Sequence, residues 1–130
     1  MSMDRRSFLA AMAAAPLVAG AAQAQDAGKK YRACIIGDTK DGGYGHDVHL
    51  IFKSREDVEI VGLADPDEAG RTARAAECGA KTLYADYREM LAKEKPDLVA
   101  IAPRTTPRHK EYLLACAEAG AHGFIEKPLT

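Results

Sequence analysis

Apolar positions in this chain gather into five short runs, and stretches with helical spacing stand between them. The first run, 31–36 (YRACII), closes on Gly37. The second, 58–64 (VEIVGLA), is almost continuously apolar, as a strand covered on both faces must be, and it ends at Asp65-Pro66. Briefer runs at 82–84, 98–102 and 123–126 complete the set. Between them, the pattern from about Tyr44 to Lys53 suits a helix, after a glycine-dense loop from Asp38 to Gly45. Residues 67–78 read as an alanine-rich helix with acids at its start and Gly79 as its stop. Asp86 caps a helix over 87–93 that Lys95-Pro96-Asp97 ends. Thr106 and Pro107 make an N-cap and first-turn pair for a helix running to Ala119 and closed by Gly120. Regular alternation of strand and helix with short links predicts an α/β fold, a doubly wound parallel sheet with right-handed crossovers.

The first 24 residues stand apart from this pattern. A polar start with Arg5-Arg6, then Ser7-Phe8-Leu9, an alanine-rich run to Ala22 and the close Ala22-Gln23-Ala24 have the layout of a signal peptide. Twin arginines ahead of x-Phe-Leu point to the twin-arginine export machinery, with Asp4 where that signal usually has Ser or Thr. A membrane anchor is the other reading, and the alanine-dominated run is short for a span of about 20 strongly apolar residues. Export would place the protein in the periplasm or outside the cell. That route carries proteins already folded, so a nucleotide bound in the cytoplasm can travel with its protein. Residues 25–30 form a polar linker, which leaves 31–130 as one domain.

Composition changes the picture little. Apolar residues at 47% and charged residues at 28% suit a globular domain with a real core. The net charge of -1, or -2 without residues 1–24, gives no reason to expect nucleic acid. Cys34, Cys78 and Cys116 are odd in number and lack C-x-x-C spacing, so buried thiols are expected rather than a disulfide framework or a metal site.

Candidate chemistry collects where the strands end, because ligands of open parallel sheets bind at the carboxyl edge. The turn Gly37-Asp-Thr-Lys-Asp-Gly-Gly-Tyr-Gly45 can bring backbone N–H groups to a phosphate at a helix start, or can be a flexible surface loop. In the first reading Gly37 serves the tight turn and Gly45 the close packing, and the pyrophosphate approaches at Gly42 or Gly43. Asp65 lies 20 residues after Gly45 at the end of the second run, where a carboxylate accepts from a ribose diol and repels a 2′-phosphate. That favours NAD over NADP, a preference that Arg71 and Arg74 soften. Pro103 and Arg104 end the fourth run, and Arg104 can reach the cofactor or an acidic substrate. His109 falls in the first turn of the next helix, facing the site or packing the helix. His46 and His49 lie three apart without a carboxylate partner in register and make a weak metal pair; His122 reads as a loop residue. Glu126-Lys127-Pro128 closes the chain. A lysine beside a nicotinamide ring can relay a substrate proton, Glu126 can pair with it, and Pro128 stiffens the exit, in cis or trans.

Together these motifs resemble a known family. The glycine turn, the Asp65-Pro66 pair, His109 placed 17 residues before Glu126-Lys127-Pro128, and Glu118-Ala-Gly120 before the last run form one pattern. With Asp86-Tyr-Arg-Glu-Met-Leu91 and Lys93-Glu-Lys-Pro-Asp97, it is similar to the N-terminal half of the Gfo/Idh/MocA oxidoreductases, over residues 31–130. The resemblance implies a Rossmann domain that binds NAD or NADP, with Lys127 as the matching catalytic lysine. It implies cofactor contacts from Gly37, Asp38, Gly42, Gly43, Gly45, Asp65, Pro103, Arg104, His109, Glu126 and Lys127. It also implies hydride transfer to or from sugars, cyclitols and related polyols. The chain departs from the family in its longer glycine loop without a clean G-x-G-x-x-G, and in a 103–109 stretch about one residue longer than usual. It departs also in lacking the second domain, which in relatives binds substrate and forms the oligomer interface. The expectation is therefore the cofactor half of an exported oxidoreductase, inactive by itself. A stand-alone dinucleotide-binding module and the first domain of an NAD-dependent glycosidase are the alternatives.

Overall fold

The structure, a computed structural model, describes residues 28–129; the leader expected over 1–24 lies outside the described residues. Five strands form one all-parallel sheet: β1 (Tyr31–Ile36), β2 (Val58–Ala64), β3 (Thr82–Tyr84), β4 (Leu98–Ile101) and β5 (His122–Ile125), in the order β3-β2-β1-β4-β5. Helices α1 (Glu68–Cys78), α2 (Tyr87–Glu94) and α3 (His109–Glu118) and a 3-10 segment (Gly45–Leu50) cover the sheet. The expected α/β class and doubly wound parallel sheet are present.

The continuous apolar runs are explained by two cores, one on each face. Along β1, Cys34 and Ile36 pack with Met90, Leu91, Tyr112 and Cys116 of α2 and α3. Ile35, between them, points the other way and packs with Val48, Leu63 and Cys78. A strand with neighbours above and below has no polar face to show, so its sequence does not alternate.

Local signals set most helix ends. The Asp67 carboxylate accepts from Gly70 N–H at 2.9 Å to start α1, and Gly79 ends it in the left-handed region at φ 78. Asp86 caps α2 through Arg88 N–H, and Lys95 closes it at φ 47. Three expectations need correction. Within the stretch 44–53 the structure has a 3-10 segment (Gly45–Leu50), in which His46 and Asp47 are left-handed, and then turns, not an α-helix. Its ends are pinned elsewhere, Gly45 N–H to the Ala102 carbonyl at 2.9 Å and His49 to Glu77, and these tertiary anchors override local preference. The helix expected from Thr106 begins instead with a 3-10 turn (Thr106–Arg108), and α3 starts at His109. The residue before that turn is Thr105, whose hydroxyl donates to Asp41 across to the glycine loop rather than capping a helix. His122, expected in a loop, opens β5 opposite Leu98, and Glu126 lies just past the strand.

Candidate functional site

Every strand of a parallel sheet ends on the same edge, so the loops after β1, β2, β4 and β5 converge there. The loop after β1 folds over that edge instead of standing open. Asp38 and Gly43 pair across it, and Gly42, at φ 94, lies against the Arg104–Thr105 backbone. A Cβ on Gly42 would come within 2.7 Å of Arg104 N and 2.8 Å of Thr105 N, so this position requires glycine. Gly43, at φ 60, has open space around it and is the glycine of the pair left free to meet a ligand. Gly45 is buried beside the Arg104 side chain.

Asp65 is wholly buried under this loop. Its carboxylate accepts from four donors: Thr39 N–H, the Thr39 hydroxyl at 2.6 Å, the Tyr44 hydroxyl at 2.8 Å and Asp67 N–H at 2.9 Å. Tyr44 lies across Gly37, and a side chain on Gly37 would collide with its ring. The ring is held from two further sides. The Arg74 guanidinium sits 5.0 Å from its centroid, and the His49 ring meets it edge-on at 5.1 Å. Burial raises the Tyr44 pKa above its ordinary value, and the bond to Asp65 adds to the rise, so the phenol stays a donor. Arg71 donates to the Asp65 backbone carbonyl at 2.8 Å.

Beside Gly37 and Asp38 lies a cavity of about 210 Å³, walled also by Pro66, Asp86, Arg88, Arg108 and Tyr112. Arg108 donates to Asp38 at 3.0 Å and to Asp41 at 3.4 Å, and it lies over the Tyr112 ring. Burial works against its charge, but Tyr112, Glu111 and Asp41 outweigh this and raise its pKa. Arg88 and the Tyr87 hydroxyl both donate to Glu111, joining α2 to α3.

A second cavity, of about 230 Å³, brings together Arg104, His109, Glu126 and Lys127, with His46. These residues come from beyond the ends of β4 and β5, the start of α3 and the 3-10 segment that follows the glycine loop. Pro103 is fully buried behind it. The Lys127–Pro128 peptide is cis. His109 is buried and bonded at both ring nitrogens, Nδ1 to the Pro128 carbonyl and Nε2 to the Pro103 carbonyl, each at 2.8 Å.

The expected site residues thus fall into two groups on one edge. Gly37 and Asp38 meet the first cavity with Asp65 beneath the loop; Arg104, His109, Glu126 and Lys127 line the second. Sequence reasoning missed Thr39, Tyr44 and Arg108. A tyrosine inside a glycine turn was the available signal, since a bulky ring there needs a place to go. It also missed Glu77, which lies on α1 and meets His49 Nε2 at 2.6 Å. The reading of His49 as lacking a carboxylate partner is therefore corrected: the partner is 28 residues away in sequence and across the fold. His46 is exposed while His49 is buried. All three cysteines are buried, and burial pushes the Cys34 thiol up to about 12 and Cys116 up to about 11.

These residues fit a dinucleotide. Asp65 already accepts hydrogen bonds from two hydroxyls, the donor type a ribose diol presents. Arg88 and Arg108 beside Gly37 suit phosphate oxygens. A ribose reaching Asp65 would take over from Thr39 and Tyr44.

Comparison with known proteins agrees. A family model described as an oxidoreductase family with an NAD-binding Rossmann fold matches residues 31–130. The chain is 39% identical over 72 residues to D-xylose 1-dehydrogenase (NADP(+)) 2 of Haloferax volcanii, covering 55% of this chain and 22% of that protein. It is 33% identical over 100 residues to D-glucoside 3-dehydrogenase of Escherichia coli, covering 75% and 27%. Among solved structures, myo-inositol 2-dehydrogenase from Lactobacillus plantarum superposes with a TM-score of 0.62 at 31% identity, covering 78% and 29%. The chain spans less than a third of the length of each of these relatives.

Proposed function

The chain belongs to the Gfo/Idh/MocA oxidoreductases, whose matching domain is an NAD-binding Rossmann fold, and from that premise we propose that residues 31–130 are the cofactor half of an enzyme acting on a sugar or polyol. The observation that carries the proposal is the second cavity, where Lys127 and Glu126 face Arg104 on the same sheet edge as Gly37 and Asp65. Relatives named for xylose, glucoside and inositol support a carbohydrate substrate. Bound NAD supplies the hydride acceptor or donor. In this reading the chain's own residues do the rest. Asp65 holds the ribose hydroxyls, and Arg88 and Arg108 neutralise phosphate charge. Gly43 offers backbone without a side chain in the way. Lys127 Nζ holds or accepts the proton of the reacting hydroxyl, and the Glu126 carboxylate orients it. Arg104 anchors an acidic or hydroxylated substrate group.

Asp65 also sets the choice of cofactor, because a buried carboxylate repels a 2′-phosphate. Calorimetry with both dinucleotides tests this: NAD binds more tightly, and a preference for NADP overturns the assignment. In the enzyme that turns over polyols, Lys127→Ala lowers kcat/KM by about a hundredfold or more; an unchanged value makes Lys127 structural. Residues 1–24, in the same proposal, direct twin-arginine export. Replacing Arg5 and Arg6 by lysine should leave the protein in the cytoplasm, and continued export of that variant removes this part of the reading.

A further inference from the structure

The arginines of this domain differ in what they hold. Arg32, Arg55, Arg74, Arg88 and Arg108 each form an ion pair with a carboxylate. Arg71 donates to the Asp65 backbone carbonyl. Arg104 has no carboxylate partner among the described residues, and its one side-chain bond runs from Nε to the Gly42 carbonyl at 3.4 Å. Its stem is nonetheless fixed. A Cβ on Gly45 would come within 2.5 Å of Arg104 Cγ and 2.9 Å of Cδ, so glycine there is what lets the stem lie against the loop. The Arg104 backbone N–H donates to the same Gly42 carbonyl at 3.2 Å. Holding a long cationic side chain in one place costs rotamer entropy, and here the fold has already restricted the stem. What remains unbonded is the outer edge of the guanidinium, Nη1 and Nη2, whose N–H groups match the two oxygens of one carboxylate.

We propose that the second cavity takes a substrate bearing a carboxylate, a sugar acid or other polyhydroxy acid, and that Arg104 selects it over the neutral polyol. The inference rests on the oxidoreductase reading above and narrows its substrate class. The cavity sets two cations, Arg104 and Lys127, against one carboxylate, Glu126. Glu126 opposes an incoming anion, and Lys127, its neighbour in the chain, offsets it. Arg104 is then the charge that a neutral polyol leaves uncompensated. His109 has its two ring nitrogens against the Pro128 and Pro103 carbonyls and offers neither to a ligand. The division of labour gives the substrate a direction. Its acid end lies by Arg104 at the exit of β4, and its reacting hydroxyl lies by Lys127 at the exit of β5. A two-pronged contact with fixed geometry orients the molecule as well as binding it.

NMR titration of the 130-residue chain in the presence of NAD tests this with two matched pairs, D-gluconate against D-glucitol and D-galacturonate against D-galactose. Within each pair a carboxylate replaces one CH2OH and the other hydroxyls are unchanged. In at least one pair the acid should bind about tenfold or more tightly than its neutral partner, with a shift at the Arg104 Nε–H signal. Added salt should weaken the acid alone. Arg104→Gln should erase the preference, and Arg104→Lys, which keeps the charge without the fork, should retain only part of it. Acid and neutral partner binding alike in both pairs overturns the proposal, as does a preference that survives intact in Arg104→Gln. A loss of NAD affinity in Arg104→Gln as large as its loss of acid affinity makes Arg104 a ligand of the cofactor phosphates and also overturns it. The wild-type comparison decides even if the variant fails to fold. Failure of the underlying reading has a different signature: NAD does not bind while the acid still binds through Arg104, which removes the oxidoreductase and leaves the carboxylate site standing.

Discussion

Replacing Asp65 by asparagine asks whether the glycine loop is held down by a charge. The carboxylate takes hydrogen bonds from Thr39 N–H, the Thr39 hydroxyl, the Tyr44 hydroxyl and Asp67 N–H. Bonds to a charged acceptor contribute about 1.5–3 kcal/mol each, against about 0.5–1.5 for neutral pairs. Asparagine keeps the shape and loses the charge, a gross loss of about 4 kcal/mol over the four donors. Relief from burying a charge returns part of that, taken as about half. The expected net destabilisation is about 2 kcal/mol, within the roughly 5–15 kcal/mol that holds a domain together, so the variant stays folded. Urea unfolding reads this as a lower midpoint at unchanged slope. Amide exchange of Thr39 to Gly43 should also speed up. A loss below about 0.5 kcal/mol refutes the reasoning, since Asp65 would then not be what holds the loop.

Two further variants or treatments probe the same edge and the two cores. Gly70→Ala would stabilise an ordinary helix interior by about 1 kcal/mol. Here its Cβ lands on the Thr39 side chain that Asp65 holds, so a net loss of about 1–2 kcal/mol is expected in urea unfolding, and a gain in stability sinks the account. The buried thiols, with Cys34 pushed up to about 12 and Cys116 to about 11, should resist alkylation at pH 8 in the folded chain. All three should react on denaturation, as counted by intact mass; rapid labelling of Cys34 or Cys116 in the native state would contradict the packing.

The sheet was legible because burial on both faces leaves an unmistakable trace. The runs ending at Ile36, Ala64 and Ala102 needed no tertiary knowledge. Gly79 and Asp86 act through neighbours two to four residues away, so their terminal roles were legible too, while Asp67, read as the first residue of its helix, is its N-cap. The 3-10 segment was not, because what bends it is Ala102 and Glu77, both distant in sequence. The site was legible at the level of its strand ends, which topology alone brings to one edge. Its interior was hidden for a specific reason: Asp65 was read as facing a ligand, whereas Thr39 and Tyr44 from the preceding loop reach it first. Likewise nothing in the spacing of His109 shows that its ring bridges two prolines, since one of them lies 19 residues further on.

The clasp between the glycine loop and the exit of β4 has a thermodynamic consequence. Arg104 N–H donates to the Gly42 carbonyl at 3.2 Å, and Thr105 reaches Asp41 at 2.7 Å. A molecule that lifts Tyr44 from Asp65 must move the loop that also braces Arg104, a wall of the neighbouring cavity. If the proposed dinucleotide lifts Tyr44 from Asp65, its binding would alter the affinity of the second cavity, and the alteration would be reciprocal. Under the proposed function, nicotinamide dinucleotide and a polyol titrated singly and then together should differ by one and the same factor in either order. The bonds between residues 41–42 and 104–105 are where that cooperativity would be stored.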